Sequence, residues 1–262
     1  MIPVDLNCAA TGPENAPVLL LGGSLGTTLD MWDPQVGELS RTHRVIRFEH
    51  RGHGGSPVPN GPYTIDELGG DVVTLLDRLA LSRVSYCGLS IGGMVGQWLA
   101  INAPERIDRL ILLCTAPYLP PASAWRERAA AVREAGTPEV VAAGVLGRWF
   151  TPEYAASHGE VVARYRSMLC GVDAEGYAGC CEAIAAMDLR GGLPGISAPT
   201  LVVAGRQDPS IPPEHGEAIA EAVPGARFEL LDPGAHLVSV ERADAVTPLI
   251  AEHLAGGREA AA

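Results

Sequence analysis

Lysine is absent from this sequence, whose 19 basic residues are all arginine. Without a lysine amine the chain cannot form a Schiff base or a Ser-Lys pair, nor complete the G-x-x-x-x-G-K phosphate loop of nucleotide-binding enzymes. The G-x-G-x-x-G pattern is also missing from the turn after the first strong strand. We therefore expect no nucleotide or flavin cofactor and no catalysis through a lysine amine.

Other classes are excluded by what the chain has little of. No apolar run is long enough to cross a membrane, and the first residues lack the basic and then apolar layout of a signal peptide, which predicts a soluble cytoplasmic protein without a membrane partner. The six cysteines show no C-x-x-C spacing, so we expect free thiols and no metal site. A net charge of −12 argues against a nucleic-acid partner. Nothing in these patterns indicates the oligomeric state.

Short apolar runs alternate with helical patterns in two parts of the chain. The runs predict an edge strand at 2–10 and further strands at 17–21, 43–48, 83–87, 109–113, 200–204 and 226–231. This alternation predicts an α/β fold with a mostly parallel central sheet and helices on both faces. Residues 118–196 show helical periodicity instead, so we expect a helical cap inserted into a core of residues 1–117 and 197–262.

The G-x-S-x-G motif at residues 88–92 lies between a predicted strand and a predicted helix. A serine on such a sharp turn has a strained backbone and needs glycine two residues away on each side, as Gly88 and Gly92 provide. The same motif also arises by chance in a glycine-rich chain. The strand before it and the helix after it favour Ser90 as a nucleophile at a helix N-terminus, where negative charge is stabilised.

Two more candidate groups follow later predicted strands. Asp208 and His236 each come just after a strand, as Ser90 does, and the carboxyl ends of parallel strands share one edge of the sheet. The chain order serine, acid, histidine suits a triad in which His236 takes the proton of Ser90 and Asp208 fixes the tautomer of His236. Asp232 lies closer to His236 in sequence and is the alternative acid.

Two backbone amides are expected to form the oxyanion hole. Ile91, directly after the nucleophile, supplies one, and the glycine-rich turn at 22–26 supplies the other through Leu25 or, as second choice, Ser24. The same residues are also compatible with an ordinary glycine turn that has no catalytic role. His50 and His53 follow the next strand, and such loop histidines more often hold a turn by hydrogen bonds than act as catalytic bases.

Four stretches make the sequence similar to a known family. Residues 24–35 and 88–98, together with 148–152 and 176–184 in the predicted cap, resemble the α/β-hydrolases and, among them, the 3-oxoadipate enol-lactonases. The similarity extends over nearly the whole chain, and the cap stretches are the more specific. One departure is Gly22-Gly23, where a polar pair such as Ser-Asn is expected before Ser24.

The resemblance implies hydrolysis of an enol-lactone with a carboxymethyl arm to 3-oxoadipate, a step of the β-ketoadipate pathway of aromatic catabolism, with no cofactor. An anionic substrate in an acidic protein requires a local cation, for which Arg148 is the first candidate. Ser24, Trp125 and Trp149 are further candidate substrate contacts, although tryptophans in such positions are more often core residues.

Three other functions are compatible with these residues. The chain could be another capped hydrolase, namely a carboxylesterase or a carbon–carbon bond hydrolase, or a cofactor-free perhydrolase acting through the same triad. A receptor that keeps the fold and binds a small ligand without catalysis belongs to a different class. A panel of substrates separates the hydrolases, and covalent labelling of Ser90 separates an enzyme from a receptor.

Overall fold

The computed structural model describes residues 3–256. Within this range, seven strands form one sheet, and in chain order they are β1 (Cys8–Thr11), β2 (Val18–Gly22), β3 (Arg44–Phe48), β4 (Val84–Leu89), β5 (Ile107–Leu113), β6 (Thr200–Gly205) and β7 (Arg227–Leu231). Their order across the sheet is β1-β3-β2-β4-β5-β6-β7. Only β1 runs antiparallel to its neighbour, and the other pairs are parallel. The predicted α/β fold with a mostly parallel sheet is confirmed.

The predicted strands match the observed ones except at the first. The predicted strand at 2–10 is wrong in its bounds, since β1 begins only at Cys8. Before β1, backbone amides donate hydrogen bonds to side chains: Val4 N donates to Asp71 Oδ1 (2.9 Å) and Asn7 N donates to Ser56 Oγ (2.9 Å). These amides are therefore satisfied without a neighbouring strand.

Helices connect the strands. They are α1 (Asp33–Leu39), α2 (Ile65–Arg78), α3 (Ile91–Asn102), α4 (Ala122–Ala135), α5 (Glu139–Trp149), α6 (Pro152–Ser157), α7 (Gly159–Cys170), α8 (Ala174–Ala186), α9 (Glu214–Ala222), α10 (Val238–Glu241) and α11 (Ala243–Ala255). The start of α2 shows how local sequence fixes a boundary. Glu67 N donates to Thr64 Oγ1 (3.2 Å) and Thr64 N donates to Glu67 Oε2 (2.9 Å), which together form a capping box. Over residues 3–256, no helix is long and apolar enough to cross a membrane.

The core lies on both faces of the central strands. Every residue of β4 and β6 is buried, as their continuous apolar runs predict for parallel strands covered by helices. The two edge strands differ from them, since β7 is half-buried and β1 is partly exposed. Ser90 therefore follows a strand in the fully buried middle of the sheet.

Helices α4 to α8 all lie between β5 and β6 in the chain. We call residues 118–196 the α4–α8 segment; all of them are described and none belongs to a strand. The backbone of Gly176, on α8, contacts the backbone of Gly52, which lies in the loop after β3. A Cβ on Gly52 would lie 2.2 Å from Gly176 Cα. The outer ends of the predicted core, residues 1–2 and 257–262, lie outside the described residues.

Candidate active site

Ser90 occupies a sharp turn between β4 and α3. Its φ of 58° and ψ of −118° are an unusual backbone conformation for a residue with a side chain. Two hydrogen bonds hold it: Ser90 N donates to Leu113 O (2.9 Å), and Thr115 Oγ1 donates to Ser90 O (2.7 Å). The turn is thus fixed from β5 and the residues after it.

The glycines on either side of Ser90 make room for this turn. A Cβ on Gly88 would lie 2.2 Å from Gly92 O, and a Cβ on Gly92 would lie 2.2 Å from Gly22 O. Both obstacles are backbone atoms, which cannot swing aside as a flexible side chain could. Gly92 N also donates to Gly23 O (3.1 Å), which ties the start of α3 to the loop after β2.

Asp208 and His236 lie next to each other in the loops after β6 and β7. His236 Nδ1 and Asp208 Oδ2 are 2.7 Å apart, and both side chains are buried. The other oxygen, Asp208 Oδ1, accepts from Ser210 N (2.8 Å) and Ile211 N (3.0 Å). Because an ionised carboxylate only accepts hydrogen bonds, Nδ1 carries the proton of a neutral His236 and Nε2 is left as the basic nitrogen.

The alternative acid, Asp232, has a different partner. Its Oδ2 is 2.6 Å from Arg206 Nε, and roughly half of each side chain is exposed. Gln207 Nε2 also donates to Asp232 Oδ1 (3.3 Å). The acidic group that the structure brings to His236 is therefore Asp208.

The loop after β2 carries the predicted oxyanion donors. Ser24 N donates to Met31 Sδ (3.4 Å), and Gly26 N donates to His53 Nε2 (3.0 Å). Within residues 3–256, Leu25 N donates no hydrogen bond. The same holds for Ile91 N, at the first position of α3, where helix geometry leaves the amide without a partner. Of the two predicted donors in the loop, Leu25 is thus the one with a free amide.

Two buried histidines shape this loop. Burial and the charge of His53 lower the pKa of His50 to about 3, and burial lowers the pKa of His53 to about 4. Both rings are therefore neutral near neutral pH. His50 Nε2 donates to Gly23 O (3.1 Å), whereas His53 Nε2 accepts from Gly26 N. As the sequence favours, these histidines hold a turn, and the turn is the one that presents Leu25.

A cavity joins the candidate residues, and we call it the Ser90 cavity. Its lining includes most of the predicted site residues, namely Ser24, Leu25, Ser90, Trp125, Arg148, Trp149 and His236. Ile91 is fully buried beside it and is not part of the lining. Five further residues that the sequence patterns did not single out line the cavity as well, namely Arg128, Val145, Tyr177, Ser210 and Ile211. No group of metal-ligating side chains occurs in the described part of the chain.

Comparisons with known proteins identify the family. The family model described as "alpha/beta hydrolase fold" matches residues 16–168 and 172–243. The chain is an α/β-hydrolase. The hydrolase is 43% identical to 3-oxoadipate enol-lactonase 2 of Acinetobacter baylyi, an alignment that covers 92% of this chain and 90% of the relative.

Solved structures agree with this assignment. The α/β-hydrolase superimposes on the enol-lactonase from Burkholderia xenovorans with a TM-score of 0.93, 43% identity and 96% of each chain covered. It also resembles a thermophilic esterase from Thermogutta terrifontis, solved with malate bound, with a TM-score of 0.89 and 32% identity over 96% of this chain and 93% of that one. The predicted resemblance to the 3-oxoadipate enol-lactonases, and with it the prediction of a hydrolase, is confirmed.

Proposed function

We propose that this hydrolase opens 3-oxoadipate enol-lactone to 3-oxoadipate. The observation that carries the proposal is that His236, whose Nδ1 is 2.7 Å from Asp208 Oδ2, lines the same cavity as Ser90 on its strained turn. Two enol-lactonases, each 43% identical to this chain over more than nine-tenths of its length, support the choice of substrate. The net charge of −12 supports a small molecule over nucleic acid as the partner.

In the proposed reaction Ser90 is the nucleophile. Its Oγ attacks the lactone carbonyl carbon while the hydroxyl proton moves to His236 Nε2. The ring C–O bond then breaks, and the departing enolate oxygen takes the proton from His236. Water next attacks the acyl-enzyme and gives one proton to His236. His236 passes this proton to Ser90 Oγ as the acyl C–O bond breaks, which releases the new carboxylic acid and restores the Ser90 hydroxyl. Asp208 stabilises the charged imidazole during both steps.

Two backbone amides are proposed to hold the negative oxygen of the tetrahedral intermediates. Leu25 N and Ile91 N are the donors, since neither donates a hydrogen bond within residues 3–256. Ser24, the alternative, already donates to Met31 Sδ. An enolate leaves more readily than an alkoxide, so this arrangement has a smaller barrier to lower than in ordinary ester hydrolysis.

The carboxymethyl arm of the substrate needs a cation, and we assign Arg148 to it. Arg148 lines the Ser90 cavity beside Trp125 and Trp149, which we propose as walls for the lactone ring. The Thermogutta terrifontis esterase, solved with malate bound, shows a related protein holding a dicarboxylate. By supplying these side chains, the α4–α8 segment acts as the cap over the site. We propose the cytoplasm as the compartment, supported by the six free cysteines.

The decisive experiment follows the ultraviolet absorbance of the enol-lactone with the wild-type protein, Ser90→Ala and Ser82→Ala. Ser82 is an exposed turn serine before β4 and serves as the matched control. We expect rapid hydrolysis by the wild type and by Ser82→Ala, and loss of activity in Ser90→Ala.

The similarity to the Thermogutta terrifontis esterase favours one second candidate, a carboxylesterase. If a simple aryl ester is cleaved in a Ser90-dependent manner while the lactone is not, the nucleophile stands and this second candidate replaces the first. If Ser90→Ala retains full lactonase activity, the proposed mechanism is wrong.

A further inference from the structure

Two arginines lie where the Ser90 cavity meets a second cavity. Arg128, on α4, and Arg148, on α5, line the Ser90 cavity and also a neighbouring cavity. Trp125 and Ser210 likewise border both spaces. The two guanidinium groups therefore stand on the boundary between the candidate nucleophile and the neighbouring cavity. We call them the arginine pair.

No carboxylate of the described residues forms a direct ion pair with the arginine pair. Within residues 3–256, no acidic oxygen lies within 4.0 Å of a guanidinium nitrogen of Arg128 or Arg148. Arg133, one and a half turns further along α4, shows the contrast, because it binds Glu175 and Glu182 at 2.6 to 2.9 Å. Burial lowers the pKa of Arg148, and the positive charge of Arg128 lowers it further, whereas Tyr177 and the more distant carboxylate of Asp208 oppose that change only in part. Two half-buried like charges with no carboxylate in contact are costly, and an anion bound between them removes that cost.

Aromatic side chains hold Arg128 in place. Its guanidinium carbon lies over the Trp125 ring, 4.7 Å from the ring centroid. Burial raises the pKa of Tyr177, and the positive charge of Arg128 opposes that rise, so the two side chains are close. Neither aromatic group neutralises the arginine. Arg128 is thus oriented by neutral partners and keeps its charge for a ligand.

We propose that Arg128 and Arg148 together form a single carboxylate-binding site, open to both cavities, for short linear dicarboxylates and for lactones that carry one carboxylate. This inference rests on the proposed function and adds Arg128 as a residue that determines specificity. The lactone has one negative charge, and its hydrolysis creates a second carboxylate at Ser90. The product can keep its original carboxylate on the arginine pair while the new one leaves Ser90, so a six-carbon dicarboxylate should inhibit competitively.

The test measures binding without turnover. Adipate, an unreactive six-carbon dicarboxylate, is titrated calorimetrically into the wild type, Arg128→Gln, Arg148→Gln and Arg126→Gln. Arg126 is the matched control, since it lies on the same helix, is exposed and lines neither cavity. We expect each change in the arginine pair to raise the Kd of adipate, and the KM of the lactone, about tenfold or more, whereas Arg126→Gln changes neither. The kcat/KM of a neutral aryl ester should fall much less than that of the lactone in the Arg128 and Arg148 variants, and Arg126→Gln should leave both unchanged.

A further variant of Arg128 and a neutral analogue of adipate extend the test. Arg128→Lys keeps the positive charge but loses the planar guanidinium group, so its Kd for adipate should lie between those of the wild type and Arg128→Gln. If Arg128→Gln fails to fold, Arg128→Lys is used in its place. An unchanged Kd in Arg128→Gln, or equal binding of the neutral analogue adipamide, would overturn the inference. If adipate binds through Arg128 but the lactone is not hydrolysed, the carboxylate site stands and the proposed function fails. If the lactone is hydrolysed but adipate does not bind, the proposed function stands and the carboxylate site is wrong.

Discussion

Ser90 carries the strain of the strand-to-helix turn in its own backbone, and the residues two positions away on each side, Gly88 and Gly92, have no side chains that could add to it. The obstacle at Gly88 is the carbonyl oxygen of Gly92, in the first turn of α3. Relieving a clash there would move β4 or α3, which together place Ser90, the proposed nucleophile. Catalytic geometry and stability are therefore coupled at this position.

Replacement of Gly88 by alanine should destabilise the protein severely. We expect Gly88→Ala to lower the free energy of unfolding by about 3 kcal/mol or more, because a Cβ 2.2 Å from a backbone oxygen forces the chain to shift. Gly147, near the end of α5, has nothing within 4 Å of an added Cβ, so Gly147→Ala should be stabilising by about 0.5–1 kcal/mol. Urea denaturation of both variants checks this, and equal stabilities would contradict it.

The buried histidines predict how stability depends on pH. His50 and His53 have pKa values of about 3 and about 4 in the folded protein, against 6.5 for an ordinary histidine. Between pH 6.5 and pH 4 the unfolded chain therefore binds protons that the folded protein does not. The free energy of unfolding should fall with decreasing pH there, by up to about 1.4 kcal/mol per pH unit for each histidine.

The measurement compares urea denaturation at pH 7.5 and pH 5 for the wild type, His50→Gln and His215→Gln. We expect His50→Gln to lose less stability on acidification than the wild type does. His215, half-buried on α9, is the control and should leave the pH dependence unchanged. A steeper loss in His50→Gln than in the wild type would show that His50 is not kept neutral by burial.

At the scale of whole elements, local patterns were sufficient wherever a boundary depends on neighbours in sequence. The capping box of α2 and the buried runs of β4 and β6 are such cases. Helix α1 was not predicted, because seven residues that include Pro34 and Gly37 are too few for a clear helical period. Arg128 was missed for another reason: its exposure to the cavity depends on how α4 packs against α5 and α8, which no local pattern encodes.

The loop that carries His236 is anchored to the α4–α8 segment through Glu241, at the end of α10. Its carboxylate accepts from Ala235 N (3.1 Å) and from the backbone amide (3.3 Å) and hydroxyl of Thr151. Leu237 N also donates to Trp149 O (2.9 Å). The residues on both sides of His236 thus bond, directly or through one carboxylate, to the junction of α5 and α6.

Removal of this anchor should slow catalysis. We expect Glu241→Ala to lower kcat for the lactone about tenfold, because a small displacement of His236 misaligns the proton transfer. Glu241→Gln keeps an acceptor oxygen and should recover most of the loss. Thr151→Ala combined with Glu241→Ala should cost no more than Glu241→Ala alone, since both changes break the same link. Strictly additive losses in a double-mutant cycle would exclude this coupling.

At the scale of the whole molecule, the charges of protein and substrate have the same sign. The chain carries 31 acidic residues against 19 arginines, and the proposed lactone is an anion. Exposed charges repel the substrate over a distance that salt shortens, whereas the half-buried arginine pair is screened less. Overall charge should therefore affect the approach of the substrate more than its final binding.

Ionic strength provides the test. Between about 10 mM and 150 mM salt, we expect kcat/KM for the lactone to rise about twofold or more as repulsion is screened, with no change for a neutral aryl ester. A fall in kcat/KM with salt would mean that attraction by the arginine pair dominates the long-range field. Parallel assays with both substrates in the same buffers separate this effect from a general effect of salt on the protein.

The site as a whole could be predicted only in part. The serine, acid and histidine follow strand ends, and parallel strands carry such positions to one edge, so their proximity was accessible from chain order. Chain order could not decide between Asp208 and Asp232, because both lie in loops after strands. Only the path of each loop decides which carboxylate faces His236. The choice between Leu25 and Ser24 likewise depended on Met31, whose sulfur accepts from the Ser24 amide.

The contact between Gly52 and Gly176 bears on the exchange of segments between relatives. A Cβ on Gly176 would lie 2.3 Å from Gly52 O, so a side chain on either residue keeps α8 away from the loop after β3. In a recombination library that joins the core of one lactonase to the cap of another, these two positions come from different parents. Each parent must contribute glycine at its position. Chimeras that lack either glycine should be discarded before activity is screened.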